Sequence, residues 1–174
     1  MRIKQILASL SVLTVAAVAG YQAMAANPQS VTANIRFDTP LTLTKVSDLD
    51  FKSVTAGVAS TVYRLSTAGA LSVVSGPGSA VFGTPVAGNI SIVGSTTQTI
   101  QITAGNAAAN GGASVGNFKC NYNGGGEVAC STLTAAAAPG AGKTLLLGAD
   151  VTTGGSEAAG ATAAPTYDIT VVYN

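Results

Sequence analysis

Short runs in which apolar and polar residues alternate, rich in Val, Ile and Thr and cut off by Gly or Pro, constrain this chain more than any other feature. An alternation of period two puts successive side chains on opposite faces of an extended strand, so one face can be buried while the other meets solvent. In Val31-Thr32-Ala33-Asn34-Ile35-Arg36-Phe37, for example, Val31, Ala33, Ile35 and Phe37 share a face. Leu41-Thr42-Leu43-Thr44 resumes the pattern after Pro40, and Asp48–Phe51, Thr61–Leu65 and Leu71–Val74 follow. Further runs cover Asn89–Val93, Thr97–Thr103, Asn117–Tyr122 and Glu127–Thr134. Thr144–Val151 is more continuously apolar, as a strand buried on both faces would be, and Tyr167–Asn174 closes the series with Tyr167, Ile169, Val171 and Tyr173 on one face. Many short strands separated by turn residues predict an all-β fold, a sandwich or a barrel. The stretches Ala104–Ser114, Ala135–Gly142 and Thr152–Pro165, rich in Gly, Ala and Ser, read as surface loops of one domain.

The chain begins differently. Met1-Arg2-Ile3-Lys4 is a short basic segment, an apolar run extends from Ile6 to Ala19, and Ala23-Met24-Ala25 has the small-x-small form of a cleavage site. Residues 1–25 therefore read as a secretory signal peptide, with cleavage expected before Ala26. The apolar run is shorter than the ~20 residues a bilayer span needs, and no later segment reaches that length, so no membrane span is expected in the mature chain. Cleavage removes Arg2 and Lys4 and turns eight basic against seven acidic residues into six against seven. So even a balance supplies no electrostatic footprint for nucleic acid and no polybasic patch for anionic lipid. Charged residues are only 9% of the chain, so its surface must be covered largely by hydroxyls and small side chains.

Export makes the two cysteines, Cys120 and Cys130, a predicted disulfide. The turn-rich Asn121–Gly126 segment between them lets the chain double back, and closing so short a loop stabilises by about 3 kcal/mol. A metal or redox role lacks both Cys-x-x-Cys spacing and any histidine.

The chain has no histidine at all. That removes the commonest general base, the commonest metal ligand and the Ser-His and Cys-His couples, and no enzyme activity is expected. Asp48 and Asp50, two apart, would share a strand face, but with no third carboxylate nearby they read as a charged strand edge rather than a calcium or acid/base site. Ala137–Thr144 approximates a phosphate-binding loop, yet Ala137 stands where its first glycine belongs and the following Leu145–Gly148 looks like a strand instead of a helix. Asn89-Ile90-Ser91 has the form of a glycosylation acceptor. Neither a cofactor nor a metal site is expected.

Two segments carry a resemblance. Thr39–Lys45 followed by Asp48-Leu49-Asp50-Phe51, and Leu145–Ala149 leading to Tyr167–Tyr173, resemble a family of secreted bacterial β-sandwich domains of unassigned function, similar to spore coat protein U and archaic chaperone–usher pilins. The family's usual Leu-x-Phe-Gly becomes here Leu49-Asp50-Phe51-Lys52. The resemblance implies an immunoglobulin-like Greek-key sandwich that lacks one strand and is completed by a donor strand. It also implies partners: a periplasmic chaperone, an outer-membrane usher and copies of the chain itself, joined head to tail. Residues 26–38 would then be an N-terminal extension and residues 39–174 the sandwich domain. Val31, Ala33, Ile35 and Phe37 fit the donor strand, although the same four residues fit equally the first strand of their own domain. Tyr167, Ile169, Val171 and Tyr173 would edge the groove and meet the chaperone, or simply complete the core. The expectation is a fibre subunit polymerising by strand donation, in the periplasm in transit and then at the cell surface. The alternative is a self-contained secreted or surface sandwich with a binding or adhesion role.

Overall fold

The computed structural model describes residues 30–174, so the signal peptide expected over residues 1–25 lies outside the described residues. The chain divides into two units, Met1–Ile35 and Arg36–Asn174. In the described part of the first, residues 30–35 form no regular structure, and Val31, Ala33 and Ile35 stand exposed. The alternation over Val31–Phe37 is thus not realised as a strand here.

The second unit is an all-β sandwich of antiparallel sheets. Its strands are β1 (Thr42–Ser47), β2 (Ser53–Val54), β3 (Val62–Leu65), β4 (Leu71–Ser75), β5 (Ala80–Phe82), β6 (Gly88–Val93), β7 (Ile100–Ala108), β8 (Ala113–Tyr122), β9 (Val128–Ala129), β10 (Lys143–Thr153) and β11 (Thr166–Tyr173). One 3-10 turn, Cys130–Thr132, follows β9.

Strand β10 organises the larger sheet. β8 pairs along one edge of it, from Leu145↔Tyr122 to Thr153↔Ala113. Its other edge takes two shorter strands end to end, β6 up to Leu147↔Gly88 and β3 from Ala149↔Leu65 onward. The handover falls on Gly148, where an added Cβ would lie 2.5 Å from the Leu65 carbonyl oxygen. Only a residue without a side chain lets the chain leaving β3 pass so close. β1 extends the sheet beyond β6, and β4 extends it beyond β3.

β7 and β11 form the facing layer, and β2 pairs with β5 as a small ribbon. The core lies between the layers: Ile92 of β6, Ile100 and Ile102 of β7, Cys120 and Tyr122 of β8, and Leu145 and Leu147 of β10. Cys120 and Cys130 are bonded, as their spacing predicted, and both are buried in this cluster.

Opposite Arg64 of β3 lies Asp150 of β10, and the guanidinium meets the carboxylate in two hydrogen bonds of 2.7 Å. The Asn117 amide donates a third, also 2.7 Å. Desolvation pushes the Asp150 carboxyl up, but the bonds from Arg64 and Asn117, with the charges of Arg64 and Lys119, outweigh it and hold the group below its ordinary range.

Several expectations need correction. Asp48–Phe51 is no strand: only Asp50 bridges, to Val86, and the chain then turns at Lys52 with a φ of 59°. Asp50 secures that left-handed turn by accepting from the Lys52 backbone N–H at 2.8 Å and from its Nζ at 2.6 Å. The conformation is one glycine adopts without cost and other residues adopt rarely. Ala104–Ser114 is mostly strand rather than loop, because β7 continues to Ala108 against β11 and β8 begins at Ala113 against β10. Ladder pairing there overrides the weak strand preference of Ala and Gly. Thr152 and Thr153, read as the start of a loop, are the last residues of β10. Glu127–Thr134 is strand only at Val128–Ala129, since the bonded Cys130 begins the 3-10 turn. The ribbon of β2 and β5 is too short to carry a readable alternation.

Two outcomes follow from this framework. Replacing Cys120 and Cys130 together by Ser is expected to lower unfolding free energy by about 3 kcal/mol, read from urea midpoints. Because the folded Asp150 carboxyl titrates below its unfolded value, its contribution is complete above about pH 4 and is lost as pH falls through the folded value. Asp150→Asn should therefore lower stability at pH 7 by about 2 kcal/mol and flatten the acid-side fall, measured by denaturation across pH 2–7.

Candidate functional site

Strands pair on two edges, and an edge left open presents a row of unsatisfied N–H and C=O groups. Among the described residues β1 pairs only with β6, and β11 only with β7. Their other edges face each other across a groove of about 490 Å³. Leu43, Lys45 and Ser47 of β1, with Asp48 and Leu49 beyond it, form one wall. Tyr167, Asp168, Ile169 and Thr170 of β11 form the other, and Gly88, Ile90 and Leu147 lie between. The lining mixes apolar and polar groups, with Lys45, Asp48 and Asp168 as its charged side chains. Lys45 and Asp48 pair with each other at 2.8 Å.

Burial along the two walls shows how incomplete the core is here. Tyr167, Ile169, Val171 and Tyr173 share the inward face of β11, as expected, yet each is only half-buried. The inward residues of β10, Leu145 and Leu147, are 0% and 6% exposed. Across the groove Leu43 remains 38% exposed although its pairing partner Ile92 is fully covered. Apolar side chains partly uncovered at a sheet edge leave contact surface available there. At the start of β11 the Tyr167 ring stacks on Phe118, centroids 4.5 Å apart, and burial pushes its phenol up to about 12.

The two walls run in opposite directions. Strand β1 starts, and β11 ends, at one corner, where the Tyr173 hydroxyl donates to the Thr39 carbonyl at 2.5 Å and accepts from the Ser95 N–H at 2.6 Å. The start of β11 lies instead beside Asp48 and Leu49, after the end of β1. The segment between β6 and β7 crosses the groove at the Tyr173 corner, because β6 flanks one wall and β7 the other. Gly94 in that segment leaves room for Leu41 and Tyr173, whose Oη would lie 2.4 Å from an added Cβ.

The other candidate residues do not come together as a site. Asp48 and Asp50 are each paired with a separate lysine, Lys45 and Lys52. Lys143 and Thr144, the end of the phosphate-loop-like motif, open strand β10, so no helix N-terminus follows them. Asn89 sits within β6, half-buried, opposite both Ser47 and Leu146, unlike a glycosylation acceptor on a loop. Among the described residues no three Cys, Asp or Glu side chains gather as metal ligands, and no helix is long and apolar enough to cross a membrane. The four residues Val31, Ala33, Ile35 and Phe37 are all exposed, Phe37 at 85%. Sequence reading missed the β1 wall, whose Leu41 and Leu43 carried the alternation but were read only as a strand, without an open edge.

Half-burial sets a measurable difference. Leu145→Ala is expected to cost about 2–5 kcal/mol, as for a fully buried leucine. Ile169→Ala should cost less, about 1–2 kcal/mol, since part of the side chain already meets water. Chemical denaturation of the two variants compares them directly.

No curated protein matches the chain, and no solved structure does. One family model matches it from residue 41 to residue 173, a span that begins just before β1 and ends with β11, and so takes in both walls of the groove. The chain belongs to the family of that model, the domain of unknown function DUF4402.

Proposed function

We propose that this protein is a structural subunit of an extracellular fibre, which polymerises when a strand from one copy fills the groove of the next. The observation that carries the reading is the pair of unpaired edges, β1 and β11, facing each other over half-covered core residues. Added strands bind such edges by main-chain hydrogen bonds, with alternate side chains entering the space between the sheets. The candidate donor has matching chemistry: Val31, Ala33, Ile35 and Phe37 alternate over seven residues, about 20 Å when extended. Tyr167, Ile169, Val171 and Tyr173 alternate over the same number of positions on β11. Exposed apolar residues with an extended pattern and no strand of their own are what a donor segment offers before capture. Donation from copy to copy does not close on itself and so builds a filament.

The reading needs no catalysis. Its export route, by signal peptide to the periplasm and on to the cell surface, and its helpers, a periplasmic chaperone and an outer-membrane usher, come from the resemblance to archaic chaperone–usher pilins. A self-contained adhesive sandwich is the second reading, and the exposed apolar tip of β5, Val81 and Phe82, favours it. Such a protein stays monomeric.

Deleting residues 26–38 is expected to abolish fibres seen by electron microscopy and to leave a domain that unfolds at lower temperature. A synthetic peptide of residues 27–38 should restore that stability, by about 2.7 kcal/mol at a hundredfold excess over its dissociation constant. The same peptide carrying Val31→Asp and Ile35→Asp should not. Normal fibres from the deleted chain sink the donor assignment.

A further inference from the structure

The chain that leads into β1 is tied down at one point. The Asp38 carboxylate accepts from the Ser95 hydroxyl at 2.7 Å and from the Gln98 amide at 3.2 Å, and it pairs with Arg36 at 3.3 Å. Ser95 is itself buried, and its hydroxyl oxygen accepts from the backbone N–H groups of Thr97 and Gln98 at 3.2 Å each. Arg36 also reaches the Thr97 hydroxyl. One residue on, the Thr39 carbonyl is held by Tyr173, whose hydroxyl also takes the Ser95 N–H. Arg36–Thr39 is therefore stitched to the segment that crosses the end of the groove.

This attachment bears on which groove the segment before it can fill. The chain runs toward the Tyr173 corner, enters β1 there, and β11 arrives at the same corner. To enter its own groove, Val31–Phe37 would have to run antiparallel to β1 and parallel to β11, reversing direction within residues 38–41. Those are the residues least free to form such a turn. Asp38 and Thr39 are bonded to the crossing segment, Pro40 has a fixed φ and no N–H, and Leu41 packs against the core. In the groove of another copy no such reversal is needed, and the segment can lie antiparallel to β11, the slightly more stable pairing.

We propose that the knot of Asp38, Ser95 and Tyr173 keeps the chain's own N-terminal segment out of its own groove and reserves it for a second copy. The inference rests on the fibre reading and adds to it a device that sets donation between chains above self-completion. Ser95 is the centre of the knot, because it binds Asp38 through its side chain and Tyr173 through its backbone. Its hydrogen bond is also the main reason the Asp38 carboxyl stays below its ordinary range, with Gln98 and Arg36 adding to it against some desolvation.

The test uses the full chain carrying Ile35→Cys and Ile169→Cys, oxidised and run on a non-reducing gel. Links between chains give a ladder, and a link within one chain gives a fast-migrating monomer. With the knot intact, links between chains are expected to dominate. Asp38→Ala, and separately Tyr173→Phe, should raise the ratio of within-chain to between-chain links by about tenfold, the effect of losing one hydrogen bond to a charged or buried group. Partial loss of folded protein lowers both products together and leaves the ratio in place. Asp38→Asn, which still accepts from Ser95, should keep the ratio near its starting value. A ratio unchanged by Asp38→Ala and Tyr173→Phe, or within-chain links already dominant with the knot intact, overturns the inference. Failure of the fibre reading looks different: the unsubstituted chain forms no fibres, and the double-cysteine chain with the knot intact forms no between-chain links.

Discussion

The double occupancy of one edge of β10 is the constraint on which the rest of this fold depends. With β8 along its whole length and β6 and β3 sharing its other side, this strand satisfies its backbone in three directions of the chain at once. The sharing requires Gly148 at the join, and it requires that β6 and β3 stay short. From it follow the positions of the outer strands: β1 hangs on β6, and β4 on β3. The facing layer has only two full strands, so it cannot cover everything the wide sheet presents. The groove beside β11 is where that shortfall appears.

Much of this was legible in the residues. Alternation in Asn89–Val93, Ile100–Thr103 and Tyr167–Tyr173 marked strands by separating apolar from polar faces, although Thr97–Thr99, read with the second of these, lie before β7. Cys120 and Cys130 announced their bond through their number and close spacing, read with the export expected from the first residues. What stayed hidden had physical reasons of three kinds. Ala104–Ala108 became strand because its partner β11 supplies hydrogen bonds that composition does not foretell. Lys52 has a left-handed backbone supported by a carboxylate two residues earlier, an arrangement no propensity scale registers. The open edges of β1 and β11 were invisible because alternation looks the same in a paired strand and an unpaired one. Only the pairing identifies which edges are open among the described residues.

Charge plays a local part in this molecule. The ion pair of Arg64 and Asp150 ties β3 to β10, and Glu127 accepts from both the backbone and the hydroxyl of Thr67 to hold the β8–β9 turn against the chain after β3. Asp50 secures a change of chain direction, and Asp38 ties the chain before β1 to the segment after β6. With so few charged residues, nearly every described carboxylate has a structural partner. Little remains to give the surface a long-range field, so any contact it makes would depend on backbone edges and apolar faces more than on steering.

The bond between Cys120 and Cys130 has a consequence for the order of events in the life of the chain. Both residues are almost completely covered, Cys120 at 0% and Cys130 at 2% exposure, beneath Ile100, Ile102 and Ala136 of the same cluster. Thiol exchange needs an attacking sulfur in line with the bond, and no such approach exists while the sandwich is closed. Oxidation must therefore precede closure, and afterwards a reductant meets the bond only in molecules that have opened. The folded domain guards its own link: how fast the bond is lost depends on how often and how long the domain opens.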